Sequence, residues 1–186
     1  MTSHYSNRNS MEKSQLRQKI LLKRSKVHTN VLLKTIRAHL KTYLLESDCR
    51  SIGLYWPIRN EINLIPIIEQ LPEDFQWFLP SVRGGEMNFY PFAKGDTLVR
   101  DETGVPGPNT GSSVVPDLLL VPCLAMDGEG YRLGYGQGWY DRYLTTHSTV
   151  FTLGVVAQAF FVETLPRQIH DRALNGVVTE NSFRFF

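Results

Sequence analysis

The sequence predicts an α/β protein with one open sheet covered by helices. Short apolar runs, typical of buried strands, alternate along the chain with segments of helical periodicity. The clearest run, Leu118 to Val121, lies between Pro116 and Pro122 and is followed by a glycine-rich loop and then the start of a helix. With 186 residues and 42% hydrophobic composition, the chain is expected to form one domain with a substantial core.

Local patterns place the elements in order along the chain. Between residues 11 and 46, apolar residues recur at roughly helical spacing, which predicts one or two amphipathic helices. These apolar positions are Leu16, Ile20, Val27, Val31 and Ile36. Further helices are predicted over residues 63–70, 139–147 and 161–165. Strands are predicted over residues 51–56, 77–80, 86–92, 117–122, 149–156 and 177–179.

Two segments are predicted to lack regular structure. Residues 104–113 are rich in Gly and Pro, which is typical of an irregular loop. Residues 1–10 are polar and are expected to form a disordered tail, so the folded domain is expected to span residues 11–186.

The composition argues against several classes of protein. Two cysteines, Cys49 and Cys123, are too few for a disulfide framework or a cysteine-rich zinc site, and they suit a reducing cytoplasm. The sequence has no secretory segment, no apolar run long enough to span a bilayer and no internal repeat. The five histidines lack the spacing of metal ligands, and no Ser/His/Asp set is evident. A cytoplasmic protein with no membrane partner is therefore expected.

Positive charge is concentrated at the start of the chain. Residues 1–50 hold 11 Lys or Arg against 3 Asp or Glu, whereas residues 51–186 hold 9 against 15. Such a basic region can bind nucleic acid or a membrane surface, or hold a phosphate or polyglutamate ligand, but most of its lysines are expected to be solvated. Residues 11–42 contain no aromatic residue, which disfavours a nucleic-acid-binding module. Lys13 and Arg17 lie four residues apart on one helical face, so both can reach one site.

The most informative stretch is the glycine-rich segment from Arg132 to Arg142, which reads RLGYGQGWYDR. Its alternating glycines let the backbone approach a ligand, and several peptide N–H groups can then point at one anion. The two arginines can neutralise phosphate oxygens, and Asp141 can hold the hard cation that accompanies a nucleoside triphosphate. The spacing matches neither the Walker A nor the Rossmann motif, and a simple glycine-rich turn is the alternative interpretation.

This segment lies within a longer stretch that resembles the 5-formyltetrahydrofolate cyclo-ligase family, also called 5,10-methenyltetrahydrofolate synthetases. The resemblance is strongest and highly specific over residues 117–144, DLLLVPCLAMDGEGYRLGYGQGWYDRYL. Weaker matches are Lys13-Ser-Gln-Leu-Arg17, Asn60-Glu61-Ile62, Leu79-Pro80 with Met87-Asn88-Phe89, Leu165-Pro166 to His170-Asp171, and Val177-Val-Thr-Glu180. Only residues 1–10, approximately, lack a counterpart in the family pattern.

The resemblance implies a fold, a reaction and substrates. The fold would be a single three-layer α/β domain with a mostly parallel central sheet flanked by helices, like that of the phosphosugar isomerases and CoA transferases. Pattern alone does not distinguish it from a flavodoxin-like order. The reaction would be the ATP-dependent cyclisation of 5-formyltetrahydrofolate to 5,10-methenyltetrahydrofolate, with release of ADP and phosphate. Mg²⁺ would be the cofactor, no nucleic-acid partner is implied, and the protein is expected to be a monomer.

The resemblance also assigns roles to individual residues. Residues that would bind ATP are Lys13, Ser14, Gln15, Leu16, Arg17, Arg132, Leu133, Gly134, Tyr135, Gly136, Gln137, Gly138, Trp139 and Tyr140. Residues that would bind the folate are Trp56, Glu61, Tyr135, Gly136, Gln137, Gly138 and Trp139. Asp141 and Asp171 would hold the metal, and Arg132 and Asp141 would act in catalysis.

Simpler roles stay open for the residues outside the glycine-rich loop. Glu61 follows a predicted strand end, where α/β sheets keep their ligand clefts, and the resemblance favours a role in folate binding. The simpler alternative is a charge that complements a helix N-terminus. Core packing explains Trp56 nearly as well as substrate contact does. Asp171, taken alone, would be an exposed loop carboxylate.

The chain departs from the family pattern at three positions. Cys123 replaces the usual glycine before Leu-Ala, Gly107 stands where an acidic or amide residue is usual, and Phe160 stands where glutamine is usual. Gln158 is a candidate to reach the space of that glutamine. The changes leave the phosphate and metal positions intact but bear on the folate pocket. A folate-binding or regulatory homologue with reduced or no turnover is therefore the second interpretation.

Overall fold

Two long helices open the chain and are followed by strands and short helices. The computed structural model describes residues 2–27 and 30–186, with side chains from residue 11 onward except that of residue 25. The helices are α1 (Thr2–Val27), α2 (Asn30–Glu46) and α3 (Trp139–Thr146), with 3-10 helices at Ile65–Gln70 and Gln158–Phe160. The strands are β1 (Ser51–Gly53), β2 (Gln76–Arg83), β3 (Glu86–Pro91), β4 (Val99–Arg100), β5 (Pro106–Gly107), β6 (Leu118–Pro122), β7 (Ala125–Asp127), β8 (Arg132–Leu133), β9 (Phe151–Val155), β10 (Phe161–Val162), β11 (Gly176–Val178) and β12 (Phe183–Phe185).

Seven strands form the main sheet in the order β12-β11-β9-β6-β1-β2-β3. The five strands from β11 to β2 run parallel to their neighbours, and β12 and β3 pair antiparallel at the two edges. Two smaller sheets have the orders β10-β7-β8 and β4-β5. The predicted α/β fold with a mostly parallel sheet is therefore confirmed.

The centre of the main sheet is apolar. In β6 the residues from Leu118 to Val121 are all buried, as expected for a strand covered on both faces. Packing around β1 is tight, since a Cβ atom on Gly53 would overlap the Leu119 side chain. α2 buries one apolar residue at every fourth position, and these residues are Leu32, Ile36, Leu40 and Leu44.

The buried face of α1 carries positive charges. Lys13, Ile20 and Arg24 are buried, and Arg17 is half-buried. Successive residues of an α-helix are about 100° apart, so these four positions share one face. Because a buried charge without a partner is strongly destabilising, the cations on this face need partners elsewhere in the chain.

The predicted helix over residues 161–165 is wrong. Gln158–Phe160 form a 3-10 turn, and Phe161–Val162 form β10, which pairs in parallel with Met126 and Asp127 of β7. Aromatic and β-branched residues fit strands well, but the strand that they pair with here is supplied by the tertiary structure, so the local pattern does not reveal it. The antiparallel strand β12 and the short strands β4, β5, β7 and β8 are likewise absent from the sequence prediction.

Other boundaries differ from the prediction by a few residues. The helix predicted over residues 63–70 is a 3-10 helix that begins at Ile65, whose N–H donates to the Asn63 side-chain oxygen at 3.0 Å. The disordered tail predicted over residues 1–10 differs from the structure, in which α1 begins at Thr2, and the domain boundary at residue 11 stays a prediction. Within the described chain, no helix combines the length and apolar character needed to cross a membrane.

Candidate active site

A cleft of about 320 Å³ lies at the carboxyl edge of the main sheet. β1 and β6 are parallel neighbours, so their carboxyl ends share this edge. Tyr55 and Trp56, which follow β1, line the cleft together with Pro122 at the end of β6 and Val82 near the end of β2. Parallel α/β sheets place their ligands outside the carboxyl ends of the strands, which makes this cleft the candidate active site.

The glycine-rich loop forms one wall of the cleft. The loop connects β8 to α3, and within it Gly136 and Gly138 have φ angles of +95° and +68°. Residues with a side chain rarely adopt such angles, so glycine is needed at both positions. A Cβ atom on Gly136 would also lie 3.2 Å from Cζ of Arg17, so the bare backbone allows α1 to come close.

Cations from two helices hold the backbone of this loop. Arg17 donates from Nε to the carbonyl oxygen of Gly134 at 2.8 Å, and Arg142 donates from Nη1 to that of Gln137 at 3.0 Å. Burial lowers the pKa of the Arg17 guanidinium from its ordinary value, and the nearby Asp171 opposes that change. Both cations therefore lie beside the glycines, where they can neutralise a bound anion.

The two carboxylates that are predicted to hold a metal both line the cleft, and each is paired with a cation. Asp141 Oδ1 lies 2.9 Å from Nη2 of Arg132 and accepts the backbone N–H of Arg172 at 3.0 Å. Asp171 Oδ2 accepts from Lys13 Nζ at 2.5 Å and from the backbone N–H of Gln168 at 2.6 Å. The pairing explains how Lys13 and Arg132 can be buried at this site.

The donor set fits a magnesium ion bound together with phosphate. In each carboxylate one oxygen makes both contacts, Oδ1 in Asp141 and Oδ2 in Asp171, so among the described residues the second oxygen keeps its lone pairs. The described residues contain no group of three or more His, Cys, Asp or Glu side chains suited to a metal. Mg²⁺ commonly uses one or two carboxylates and takes its remaining ligands from water and substrate phosphates, which matches two aspartates at one cleft.

Glu61 reaches the cleft from a strained turn that follows β1. Arg59 and Asn60 have positive φ angles of 45° and 60°, and the turn is closed by the N–H of Glu61, which donates to the Ile58 carbonyl at 2.8 Å. Glu61 Oε2 accepts the N–H of Ile58 at 3.0 Å. The carboxylate therefore belongs to the cleft, and the first N–H of the following 3-10 helix is satisfied by Asn63 instead.

Burial gives Glu61 an unusual ionisation. Its pKa is raised from 4.5 to about 7, chiefly because burial disfavours the charged carboxylate. The hydrogen bond from Ile58, the charge of Arg24, a hydrogen bond with Tyr135 and the charge of Arg59 all act in the opposite direction. Near neutral pH the side chain is therefore divided between its protonated and ionised forms.

The aromatic residues of the site pack against the core, and two of them have polar atoms without a hydrogen-bond partner among the described residues. Trp56 lines the cleft and also packs against the core, so both roles considered from the sequence have support in its position. The Trp139 Nε1 and Tyr140 Oη atoms are buried and have no hydrogen-bond partner within the described part of the chain. Burial raises the pKa of the Tyr140 hydroxyl, so it stays a neutral donor. Buried donors are rarely left unpaired, which makes these two atoms candidates to bond a ligand.

One wall of the cleft was missed by sequence reasoning. It is largely apolar and contains Pro80, Val82, Met87 and Val105. Asp101, also in this wall, uses Oδ2 to accept the N–H of Val82 at 2.9 Å and Oδ1 to accept that of Thr103 at 2.8 Å. The Asp-Glu-Thr-Gly stretch that begins at Asp101 indicates a turn, but its attachment to β2 depends on tertiary structure.

Arg59, Gln168 and His170 line the cleft as well and were not predicted.

Most of the predicted site residues meet at this cleft. Those lining it are Lys13, Arg17, Trp56, Glu61, Asp171 and every residue from Arg132 to Asp141. Ser14 and Gln15 are exposed and Leu16 packs against the core, so these three do not line the cleft. The reason is helical geometry, because the positions between Lys13 and Arg17 point away from the face that these two share.

The three departures from the family pattern lie outside the cleft lining. A Cβ atom on Gly107 would lie 2.8 Å from the Pro80 carbonyl oxygen, so β5 packs closely on β2. Cys123 is buried, which raises the pKa of its thiol to about 12. Phe160 is buried in the core, and the Gln158 side chain accepts from the Thr179 hydroxyl at 3.1 Å. None of the three changes therefore alters a side chain that faces the cleft.

Known proteins resemble this chain over most of its length. The sequence model of the 5-formyltetrahydrofolate cyclo-ligase family matches residues 9–180. The 5-formyltetrahydrofolate cyclo-ligase of Mycolicibacterium smegmatis is 32% identical over 183 residues, which cover 90% of this chain and 93% of that protein. The enzyme of the same name from Mycoplasma pneumoniae is 31% identical over 141 residues, covering 72% of this chain and 77% of that protein.

A solved structure agrees with these sequence relatives. The 5,10-methenyltetrahydrofolate synthetase of Aquifex aeolicus superimposes with a TM-score of 0.79 at 31% sequence identity, covering 93% of this chain and 92% of that one. Sequence and fold thus point to the same group of proteins. The chain belongs to the 5-formyltetrahydrofolate cyclo-ligase family, a family of ATP-dependent ligases of folate one-carbon metabolism.

Proposed function

We propose that this chain catalyses the ATP-dependent cyclisation of 5-formyltetrahydrofolate to 5,10-methenyltetrahydrofolate, releasing ADP and phosphate. The observation that supports this most strongly is the lining of a single cleft. The glycine-rich loop lies in it with Lys13 and Arg17, and Trp56 and Glu61 lie in it as well. Both substrates could therefore be held next to each other, which a reaction between them requires.

The proposed chemistry activates an oxygen that is otherwise a poor leaving group. The formyl oxygen attacks the γ-phosphorus of ATP, the bond to ADP breaks, and an iminium phosphate forms. N10 of the folate then attacks the formyl carbon and loses its proton, and the carbon–oxygen bond breaks to release phosphate. Both substrates supply all the reacting atoms, so the protein mainly positions them and neutralises charge.

At the phosphate end, α1 and the glycine-rich loop would bind ATP. Among the described side chains of α1, Lys13 and Arg17 line the cleft, so we assign the contribution of this helix to them rather than to Ser14, Gln15 or Leu16. Arg132 lines the same region and would neutralise the transferring phosphoryl group, with Asp141 holding its guanidinium in place. The buried donors of Trp139 and Tyr140 would find acceptors on the bound substrates.

Asp141 and Asp171 would hold Mg²⁺ through the carboxylate oxygens that their ion pairs leave available. When bound, the metal would neutralise phosphate charge during phosphoryl transfer. Arg132 and Lys13 would then remain as neighbours of the same phosphates. The protein would in this way bring two cations and two carboxylates to one part of the cleft.

At the folate end, Glu61 would accept hydrogen bonds from the N–H donors of the reduced pterin. Its ionised form has two acceptor oxygens and suits a pair of such donors. Trp56 and the apolar wall of Val82, Met87 and Val105 would cover the flat parts of the folate. Tyr135 to Trp139 would face both substrates, because the loop lies between the two groups of residues.

The remaining expectations concern architecture and assembly. We infer a three-layer arrangement like that of the phosphosugar isomerases and CoA transferases, supported by the parallel order of the central strands. A cytoplasmic location fits the two free cysteines, Cys49 and Cys123, and the monomeric state stays a prediction from the resemblance.

The experiment that tests the proposed function is an omission series. Purified protein is incubated with 5-formyltetrahydrofolate, ATP and Mg²⁺, and the methenyl absorbance is followed. Product should form only with all three present. Product at the same rate without ATP would contradict the mechanism, and folate binding without any turnover would support the regulatory homologue instead.

A further inference from the structure

Arg24 is a buried cation of α1 that no part of the mechanism above uses. Its exposed fraction is 2%, and it shares the inward face of α1 with Lys13 and Arg17. Unlike those two residues it does not line the cleft. A guanidinium in such a position needs strong polar partners, because burying an unpaired charge is costly.

The partner of Arg24 is the tyrosine within the glycine-rich loop. Arg24 donates from Nη1 to the Tyr135 hydroxyl oxygen at 2.7 Å. The guanidinium of Arg59 lies 5.3 Å from the centre of the same ring. Tyr135 is therefore fixed at its hydroxyl by α1 and faces a second cation that precedes Glu61 in the chain.

The same hydroxyl also meets Glu61. The Tyr135 side chain hydrogen-bonds the Glu61 carboxylate and thereby favours its ionised form. A phenol has one proton to donate, whereas a guanidinium can only donate. Because the hydroxyl accepts from Arg24, its one proton is available for donation to Glu61. The order of donation that these contacts favour is Arg24 to Tyr135 to Glu61.

We propose that Arg24 is a positioning residue for the folate end of the cleft. By donating to Tyr135, it aims the tyrosine proton at Glu61 and holds the carboxylate in the orientation that receives the substrate. This inference rests on the proposed function, since it assigns Arg24 a task in recognising the folate.

The electrostatic surroundings of Glu61 are consistent with this task. The titratable and charged side chains that shift the pKa of Glu61 are Arg24 of α1, Arg59 of its own turn and Tyr135 of the loop. Glu61 in turn raises the pKa of its neighbours Tyr55, Cys123 and Tyr140. Arg24 and Arg59 are the cations of this set, and both lower the pKa of Glu61 against the effect of burial. Removing Arg24 should therefore favour the protonated carboxyl.

Three variants test the proposal against a purely structural role. Arg24→Met removes the charge and the donor, Tyr135→Phe removes the hydroxyl while Arg24 stays, and Arg24→Lys keeps the charge without the planar fork. Lys23→Met is the matched control, because Lys23 is the exposed neighbour of Arg24 on the same helix. Melting temperatures identify any variant that fails to fold.

The first measurement needs no substrate: the Glu61 carboxyl is titrated by carbon-13 NMR in each protein. The midpoint should rise in Arg24→Met and in Tyr135→Phe, rise less in Arg24→Lys, and stay unchanged in Lys23→Met. If Arg24→Met does not fold, Tyr135→Phe decides. A folded variant with the Glu61 midpoint of the wild type would overturn the proposal.

The second measurement separates the two substrates by steady-state kinetics. Arg24→Met should raise the KM for 5-formyltetrahydrofolate at least about fivefold, while the KM for Mg-ATP stays within about twofold. Tyr135→Phe should also raise the KM for 5-formyltetrahydrofolate, but the substrate comparison rests on Arg24→Met because Tyr135 lies in the loop that faces both substrates. An equal loss for both substrates without a change in the Glu61 titration would show a structural role and overturn the proposal. If the wild type itself lacks turnover, the proposed function fails, whereas the NMR titration still tests the link from Arg24 to Glu61.

Discussion

Lys13 Nζ lies 2.5 Å from Oδ2 of Asp171, although 158 residues separate the two in the chain. Both side chains are largely buried and line the cleft. The pair connects α1 to the loop near the C-terminus, where the Gln168 N–H donates to the same oxygen. A phosphate that binds here would lie beside the positive charge of Lys13, and a metal would use the second oxygen of Asp171, so the pair brings a cation and a carboxylate to one point of the cleft.

Replacing Lys13 tests its role in ATP binding. Lys13→Met removes a cation from the phosphate end, so the KM for Mg-ATP should rise about tenfold or more. The KM for 5-formyltetrahydrofolate should change less than about twofold, since Glu61 and Trp56 are untouched. Lys19→Met, at an exposed position of the same helix, is the control and should behave like the wild type. Equal changes in both KM values would argue against the assignment.

Asp141→Asn tests the metal site. The amide keeps an oxygen that can accept the Arg172 N–H but loses the charge that would hold Mg²⁺. Turnover should fall at least about tenfold, and more Mg²⁺ should be needed for half-maximal rate. Because Arg132 loses its ionic partner, the free energy of unfolding should also fall, by about 1–3 kcal/mol, with the fold retained. A wild-type rate with unchanged magnesium dependence would refute the assignment.

Glu61→Gln tests the folate end. The substitution replaces one acceptor oxygen by an amide donor, which leaves a pterin N–H facing another N–H in a partly desolvated site. Folate binding should weaken by roughly tenfold or more, while affinity for Mg-ATP barely changes. Separate titrations with each ligand measure this. An unchanged folate dissociation constant would mean that Glu61 has only a local structural role.

The raised pKa of Glu61 predicts a pH dependence of stability. The pKa of Glu61 is about 7 in the folded protein and ordinarily 4.5. Between pH 4.5 and pH 7, therefore, the folded protein still holds the Glu61 proton, whereas the unfolded chain has lost it. The contribution of Glu61 to the free energy of unfolding therefore falls as pH rises from about 4.5 to about 7, by at most about 3 kcal/mol. Above about pH 7 it is constant.

This dependence is isolated by comparing the wild type with Glu61→Gln, which cannot ionise. Denaturant unfolding of both, without ligands, gives the difference in unfolding free energy from pH 5 to pH 8. The wild type should lose stability relative to the variant as pH rises. A difference that is flat across this range would show that Glu61 titrates normally.

The sequence predicted the central architecture because its signals are local. The apolar run of β6 and the glycines before α3 are recognisable from their own composition. Helical spacing alone indicated that Lys13 and Arg17 share a face. The same spacing explains why Ser14 and Gln15 do not reach the cleft. Contiguous residues of a matching motif need not face one site.

What the sequence did not predict depends on contacts between distant segments. β10 forms by pairing Phe161 with Met126 of β7. In the apolar wall of the cleft, Asp101 is attached to β2 by its hydrogen bond with the backbone N–H of Val82. In the sequence Arg24 resembles the other cations of a basic helix, and its burial and its hydrogen bond to Tyr135 are seen only in the structure. The residues in each of these pairs are far apart in the chain, so local sequence patterns do not predict the contacts between them.

The central claim is that the formyl oxygen becomes phosphorylated in this cleft, and one isotope measurement tests it most directly. 5-Formyltetrahydrofolate carrying oxygen-18 in its formyl group is converted with unlabelled ATP in unlabelled water, and the released phosphate is analysed by mass spectrometry. Transfer of the formyl oxygen to phosphorus predicts one oxygen-18 atom in each phosphate released with the methenyl product. Methenyl product accompanied by unlabelled phosphate would contradict this claim.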